Sequence, residues 1–157
     1  KEFTKKFNSS ITLNYLWSKN LENNGNLINQ PPVRIENNLI WKTNNFWKIN
    51  FSEISLSPSY SFKQSQAPIT ISPEDLINGV VNITPETNIF DFKDAPDGHF
   101  LLDFSWRLKL NDFSASINVN NVLNTSYRNY LNSMRYFADE IGRNFIVNFS
   151  YTFKKKN

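Results

Sequence analysis

The chain has 157 residues, of which 39% are hydrophobic and 15% aromatic, with no Cys and a net charge of +3. Without Cys there are no disulfides, thiolate metal sites or Cys nucleophiles, and no apolar run approaches the roughly 18 residues of a membrane helix. The basic excess lies at the ends, in Lys1, Lys5, Lys6 and Lys154 to Lys156, so no basic face with interleaved aromatics offers itself to nucleic acid.

The opening Lys1-Glu2-Phe3 has neither a starting Met nor a signal sequence, and reads as the start of a mature or excised segment. From there the hydrophobic period is two almost wherever a period exists, the signature of strands. Six are predicted, at about 7–21, 33–43, 50–63, 99–110, 113–123 and 143–153. The first sets Ile11, Leu13, Tyr15 and Trp17 against Asn8, Ser10, Thr12 and Asn14. In the second, Val33, Ile35, Leu39 and Trp41 oppose Arg34, Glu36, Asn38 and Lys42. The third alternates Ile54, Leu56, Pro58, Tyr60 and Phe62 with Glu53, four Ser and Lys63; Pro58 removes a ladder donor and predicts a bulge or local irregularity.

Phe100 to Leu110 carries its charges, Asp103, Arg107 and Lys109, on one face only. Phe113, Ala115, Ile117 and Val119 follow, opposed by Ser and Asn. The last strand aligns Phe145, Val147, Phe149, Tyr151 and Phe153.

The connections are lopsided. Asn111-Asp112 and Asn44 to Lys48 are short turns, whereas the links 22–32, 64–98 and 124–142 are long. Short turns on one rim and long loops on the other, joined by strands of ten or more residues, is the pattern of an outer-membrane barrel. Trp41, Phe113, Tyr151 and Phe153 are expected at the short-turn rim, and Tyr15, Trp17, Tyr60, Phe62 and Phe100 toward the long-loop rim, as two interfacial belts. The predicted fold class is therefore all-β, an antiparallel transmembrane barrel segment. A spanning sheet has to close, and six strands are too few for a single-chain bacterial barrel.

The stretch from Asn118 to Phe153 contains NVNNVLN, a loop with YRNY and RYFAD, and GRN opening a strand that ends in Phe. It resembles the C-terminus of TonB-dependent outer-membrane receptors. Pro31-Pro32 and the Pro96-Asp97-Gly98-His99 sequence look like that family too. The resemblance implies that residues 1–157 are the closing strands of a barrel of about 22 strands, in the outer membrane of a Gram-negative bacterium. It implies as partners the rest of the barrel and its plug, the TonB complex acting through that plug, outer-membrane lipid, and the barrel-assembly machinery. Tyr151 and Phe153 resemble the terminal signal that this machinery reads. Such receptors import scarce small ligands, for example iron–siderophore complexes; no plug or TonB-engaging motif is recognisable in this sequence.

Candidate ligand-binding residues are Tyr127, Arg128, Tyr130, Arg135 and Tyr136 in the third long loop, and His99, because aromatics and Arg in an exposed loop suit stacking and charge contacts. The competing reading is a loop that packs on itself. Arg143 is expected to pair with Asp139 or Glu140. Arg34, Glu36, Glu53, Asp103 and Arg107 are assigned to the lumen, facing the plug. Ser72-Pro73-Glu74-Asp75 predicts a capped short helix. Asp91, Asp94 and Asp97 lack the spacing of a calcium loop, and a lone His99 supports neither a His-based metal cluster nor a triad. No catalytic residue, metal or cofactor is expected. Two other readings stay open: a soluble β-sandwich that binds a ligand or glycan, and a barrel enzyme of the outer membrane.

Overall fold

The computed structural model describes the chain except residues 1, 5, 23, 28, 47, 48, 68, 69, 81–92 and 154–157; at 2–4, 45 and 46 it describes the backbone alone. Strands β1 (Glu2–Thr4), β2 (Phe7–Asn14), β3 (Arg34–Phe46), β4 (Ile49–Ser61), β5 (His99–Leu110), β6 (Phe113–Asn120) and β7 (Asn144–Tyr151) follow one another. They form one antiparallel sheet in the order β1 to β7, a meander whose six longer strands are β2 to β7. The sheet is open, with β1 and β7 at its two edges.

Directly opposed residues share a face, so register decides whether six alternating patterns make one surface. They do. Leu39, Leu56, Phe104, Val119 and Phe145 lie in one row across five strands. The next row runs Trp41, Ile54, Trp106, Ile117 and Val147, and Leu13, Ile35, Tyr60 and Phe100 form another. The opposite face collects Lys42, Glu53, Arg107, Ser116 and Asn148 in a single polar row.

None of the described residues covers the apolar face. Trp41 is 61% exposed and Phe149 71%. Among the described residues the buried hydrophobic side chains are Ile71, Ala95 and Tyr130, all in the long links. The accessible surface is 11691 Å², against about 8,200 Å² expected for a folded soluble monomer of this mass. The sheet is a single layer without a core of its own.

Three strand ends differ from the expected ones by three residues or more, each for a local reason. β2 stops at Asn14 instead of residue 21. Continued in register, Leu16 and Trp17 would face Pro32 and Pro31, which have no N–H to donate. The Gln30 side chain instead donates to the Ser18 carbonyl at 3.3 Å. β3 runs past Thr43 to Phe46, which pairs with Ile49; the β3–β4 link is therefore two residues, 47 and 48, both outside the described residues. That extension leaves Trp41 in mid-strand, in one row with Trp106, and not at the rim.

β6 ends at Asn120 because Asn121 turns into the left-handed region, with φ of 52°. At Pro58 the β3–β4 ladder lapses but keeps its register on both sides, so no bulge forms. β4 passes through it against β5, Pro58 facing Leu102.

Phe113 and Tyr151, a directly opposed pair, lie at the short-turn rim, with Phe153 just beyond; the Tyr151 and Phe153 rings meet edge to face at 4.8 Å. Tyr60, Phe62 and Phe100 lie at the other rim, where Tyr60 and Phe62 also meet edge to face at 4.8 Å. The helix predicted after Ser72 is present as α1 (Pro73–Ile77), capped by the Ser72 side chain accepting from the Asp75 N–H at 3.1 Å.

Candidate functional site

The long links at one rim are tied together. The Gln64 side chain donates to the carbonyls of Gln30 and Pro31, and Asn26 donates to the Ala67 carbonyl, joining the first link to the second. The second meets the third where Lys93 donates to the Tyr136 carbonyl and Arg135 to the Asp94 carbonyl.

The third link is held by the residues of its own motif. Asn121 is 4% exposed, and its side-chain amide donates to the Thr125 carbonyl and accepts from the Thr125 N–H. Its backbone N–H donates to the Asp103 carboxylate at 2.8 Å. Asn124, also left-handed at φ 56°, accepts from the Arg143 N–H through its side chain. A Cβ on Gly142 would stand 2.7 Å from that same Asn124 oxygen, so the glycine is needed for close approach and not for an unusual φ. NNVLN and GRN are thus two sides of one interlock. Asn121→Ala removes an amide with two partners and leaves a left-handed backbone under an alanine. A loss of about 1–3 kcal/mol is expected in chemical unfolding.

Arg135 is 5% exposed and Tyr130 7%. The Arg135 guanidinium lies over the Tyr130 ring at 4.9 Å and the Tyr136 ring at 4.6 Å, so these three hold the loop together. Arg128 bonds Asp139 at 2.6 Å and the Arg135 carbonyl at 2.8 Å. Asp139 therefore pairs with Arg128 and not with Arg143, whose backbone is the part engaged. Hydrogen bonds from Ser126, then Arg128, hold the Asp139 carboxyl below its ordinary value of 3.8. With a depressed folded value, its stabilisation of the loop is complete above the ordinary carboxylate range. It is lost as pH falls through the depressed value. Amide exchange in residues 126–140 is expected to accelerate there, an effect that Asp139→Asn abolishes.

Beneath this loop, on the polar face, lies a cavity of about 410 Å³ lined by Arg34, Leu101, Asp103, Tyr127, Glu140 and Asn144 among others. Burial first, then the Glu140 and Asp103 carboxylates, push the Tyr127 hydroxyl above its usual range, so at neutral pH it is a protonated donor. The His99 ring rests on the Tyr127 ring at 4.4 Å, which joins the strand residue to the loop residue. Arg34 approaches Glu36 to 2.6 Å, but its Nε has no aligned acceptor; the pair is close without being a hydrogen bond. Glu140 accepts from Asn132.

Of the candidate ligand residues, then, Tyr127 lines the cavity and His99 reaches it only through its contact with the Tyr127 ring, whereas Arg128, Tyr130, Arg135 and Tyr136 are engaged within the loop. Asp103 and Arg34, assigned to the lumen, line the cavity. Glu53 lies deeper on the polar face, between Lys42 at 3.5 Å and Arg107 at 3.7 Å. Glu140 and Asn144 were not singled out as cavity residues by sequence, and only the register would have placed them there. Asp94 accepts from Thr70 and Asp97 pairs with Lys63; Asp91 lies outside the described residues. Among the described residues no group of three potential metal ligands occurs. Comparison of the chain with protein-family models, with curated proteins and with solved structures gave no match.

Proposed function

We propose that the chain is a sector of an outer-membrane β-barrel of the TonB-dependent receptor type. Its interlocked long links would contribute to the extracellular mouth through which a scarce small ligand, such as an iron–siderophore complex, is taken up. One observation carries the reading: a continuous aromatic and aliphatic face, in register across β2 to β7, that none of the described residues covers. Left in water, each large side chain forgoes about 1.5–3 kcal/mol of burial. Lipid supplies that cover over the whole face at once, while the polar face turns to the lumen. The rest of the barrel would pair the backbone groups at both sheet edges and, with the plug, meet Arg34, Glu36, Glu53, Asp103 and Arg107. The TonB complex would act through that plug, and Tyr151 and Phe153 would present the strand end to the assembly machinery.

Tryptophan quenching by brominated lipids tests the membrane assignment. In vesicles, variants retaining only Trp106 or only Trp41 are expected to be quenched by bromine on the acyl chains. A monodisperse, water-soluble monomer whose tryptophans escape quenching would refute it. For the transport assignment, deleting residues 64–98 from the intact receptor is expected to alter which iron chelate cells take up. Unchanged preference would count against that loop as the specificity element.

A further inference from the structure

The polar face is not uniformly charged. Near the long links, Arg34 and Glu36 face each other and Asp103 is occupied by the Asn121 N–H. Near the short turns, Lys42, Arg107 and Lys109 stand against one carboxylate, Glu53, which Lys42 and Arg107 share. Lys109 has no ion-pair partner among the described residues. Among the described side chains on that part of the polar face, positive charge exceeds negative by about two.

A cavity of about 340 Å³ opens there, within the size range of small-molecule sites, bounded by Phe51, Arg107, Lys109, Ser114, Ser116 and Ser150 together with neighbouring apolar residues. Register builds it. Phe51 faces Lys109, which faces Ser114, which faces Ser150; Arg107 faces Ser116 in the neighbouring row. Opposed side chains lie about 5 Å apart and successive ones on a strand about 7 Å. Arg107, Lys109, Ser114 and Ser116 therefore form a small rectangle with two cations along one side and two hydroxyls along the other. Asn148 donates to Ser116 at 3.3 Å, leaving the Ser116 hydroxyl proton free to point at a ligand.

We propose that this array binds a phosphomonoester, with the phosphate on Arg107 and Lys109 and the body of the ligand against the Phe51 ring. Arg offers a planar fork and Lys a point charge, a pairing suited to an anion with several oxygens, and serine hydroxyls supply further donors. The site is built from side chains of this chain alone, on β4 to β7. It stands apart from the cavity under the 124–142 link, and it does not rest on the membrane assignment.

Phenyl phosphate titrated into the full chain tests it, by calorimetry in non-ionic maltoside micelles, which contain no phosphate, or in buffer where the chain is soluble. Circular dichroism verifies the sheet in each sample. Saturable binding is expected, weakened tenfold or more in Arg107→Gln/Lys109→Gln and unchanged in Lys19→Gln, a cation far from the array. Phe51→Leu is expected to weaken phenyl phosphate while sparing inorganic phosphate. Equal affinity for the two anions in the unaltered chain would overturn the role of Phe51. No saturable binding by a chain with an intact sheet, or equal binding by the double variant, would overturn the site. Response only after doping the micelles with phosphatidylglycerol would assign it to a lipid headgroup and overturn the soluble ligand.

Discussion

On the proposed lipid-facing orientation, Ile117→Arg is expected to destabilise the sheet in vesicles by about 2–4 kcal/mol, the cost of an Arg facing lipid near the bilayer midplane, while Asn118→Arg, one residue along, costs little. The two positions are adjacent in β6 and face opposite sides. Ile117 stands between Trp106 and Val147, and Asn118 between Ser105 and Ile146. Backbone, strand and added charge are the same in both variants, so the difference isolates the environment of each face. Long basic side chains near a rim can extend to the interface, but Ile117 is four residues from the start of β6 and three from its end. Unfolding by denaturant from vesicles measures both. If both variants lose the same stability, the faces are equivalent and lipid does not cover the apolar one. If Asn118→Arg is the worse, the polar face is the packed one, as in a sandwich turned the other way.

Much of the sheet could be read from the sequence because alternation and register are the same information seen twice. Once Phe104 and Val119 are assigned to apolar faces, the two-residue turn at Asn111-Asp112 leaves one pairing that aligns the strands. That is the observed pairing, with Leu110 opposite Phe113. Strand ends were less legible because they depend on what the neighbour offers. The Tyr15 and Trp17 pattern continues the alternation of β2, yet the ladder ends where Pro31 and Pro32 arrive from the next strand. Likewise the alternation of β6 breaks after Val119, where the left-handed Asn121 shifts the chain by one residue, so that the Val122 N–H bonds the Leu102 carbonyl.

The site was harder, and for a physical reason. Residue type marks Arg128 and Arg135 as ligand contacts, but an Arg satisfied by a carboxylate, carbonyls and two tyrosine rings is loop structure. Nothing in the sequence distinguishes the two uses. His99 and Tyr127, 28 positions apart, meet only because β5 and β6 return the chain to the same rim. Asp103 looks like one more lumenal charge until the Asn121 N–H is seen to need it. What the sequence did carry was the motif itself, and the structure accounts for it as a set of fitted parts. Asn121 and Asn124 supply left-handed turns and side-chain acceptors, and Gly142 supplies the space against Asn124.

Gly98→Ala is expected to be the most damaging conservative change in the long links, at about 1–3 kcal/mol for an atom forced into filled space. A Cβ at Gly98 would lie 2.8 Å from the Tyr60 hydroxyl, 2.9 Å from the Ser61 carbonyl oxygen and 3.3 Å from the Lys63 nitrogen. The tyrosine hydroxyl could swing aside, though the Tyr60 ring is held edge-on by Phe62. The Ser61 carbonyl has less freedom. It belongs to the same peptide plane as the Phe62 N–H, which donates to the Val33 carbonyl at 2.9 Å. Relieving the clash therefore pulls on β3 as well as β4, and it moves the Ser61–His99 pair that ends the β4–β5 ladder. Because His99 carries the ring that meets Tyr127, the strain also reaches the cavity under the 124–142 link. Gly79 is the control, with φ of 64° and nothing near its Cβ position. Asn tolerates that backbone, so Gly79→Asn is expected to stay within about 0.5 kcal/mol of the unaltered chain. Denaturant midpoints of the two variants give the comparison. An unchanged midpoint for Gly98→Ala would mean that β4 and the 62–98 link part more easily than their hydrogen bonds imply.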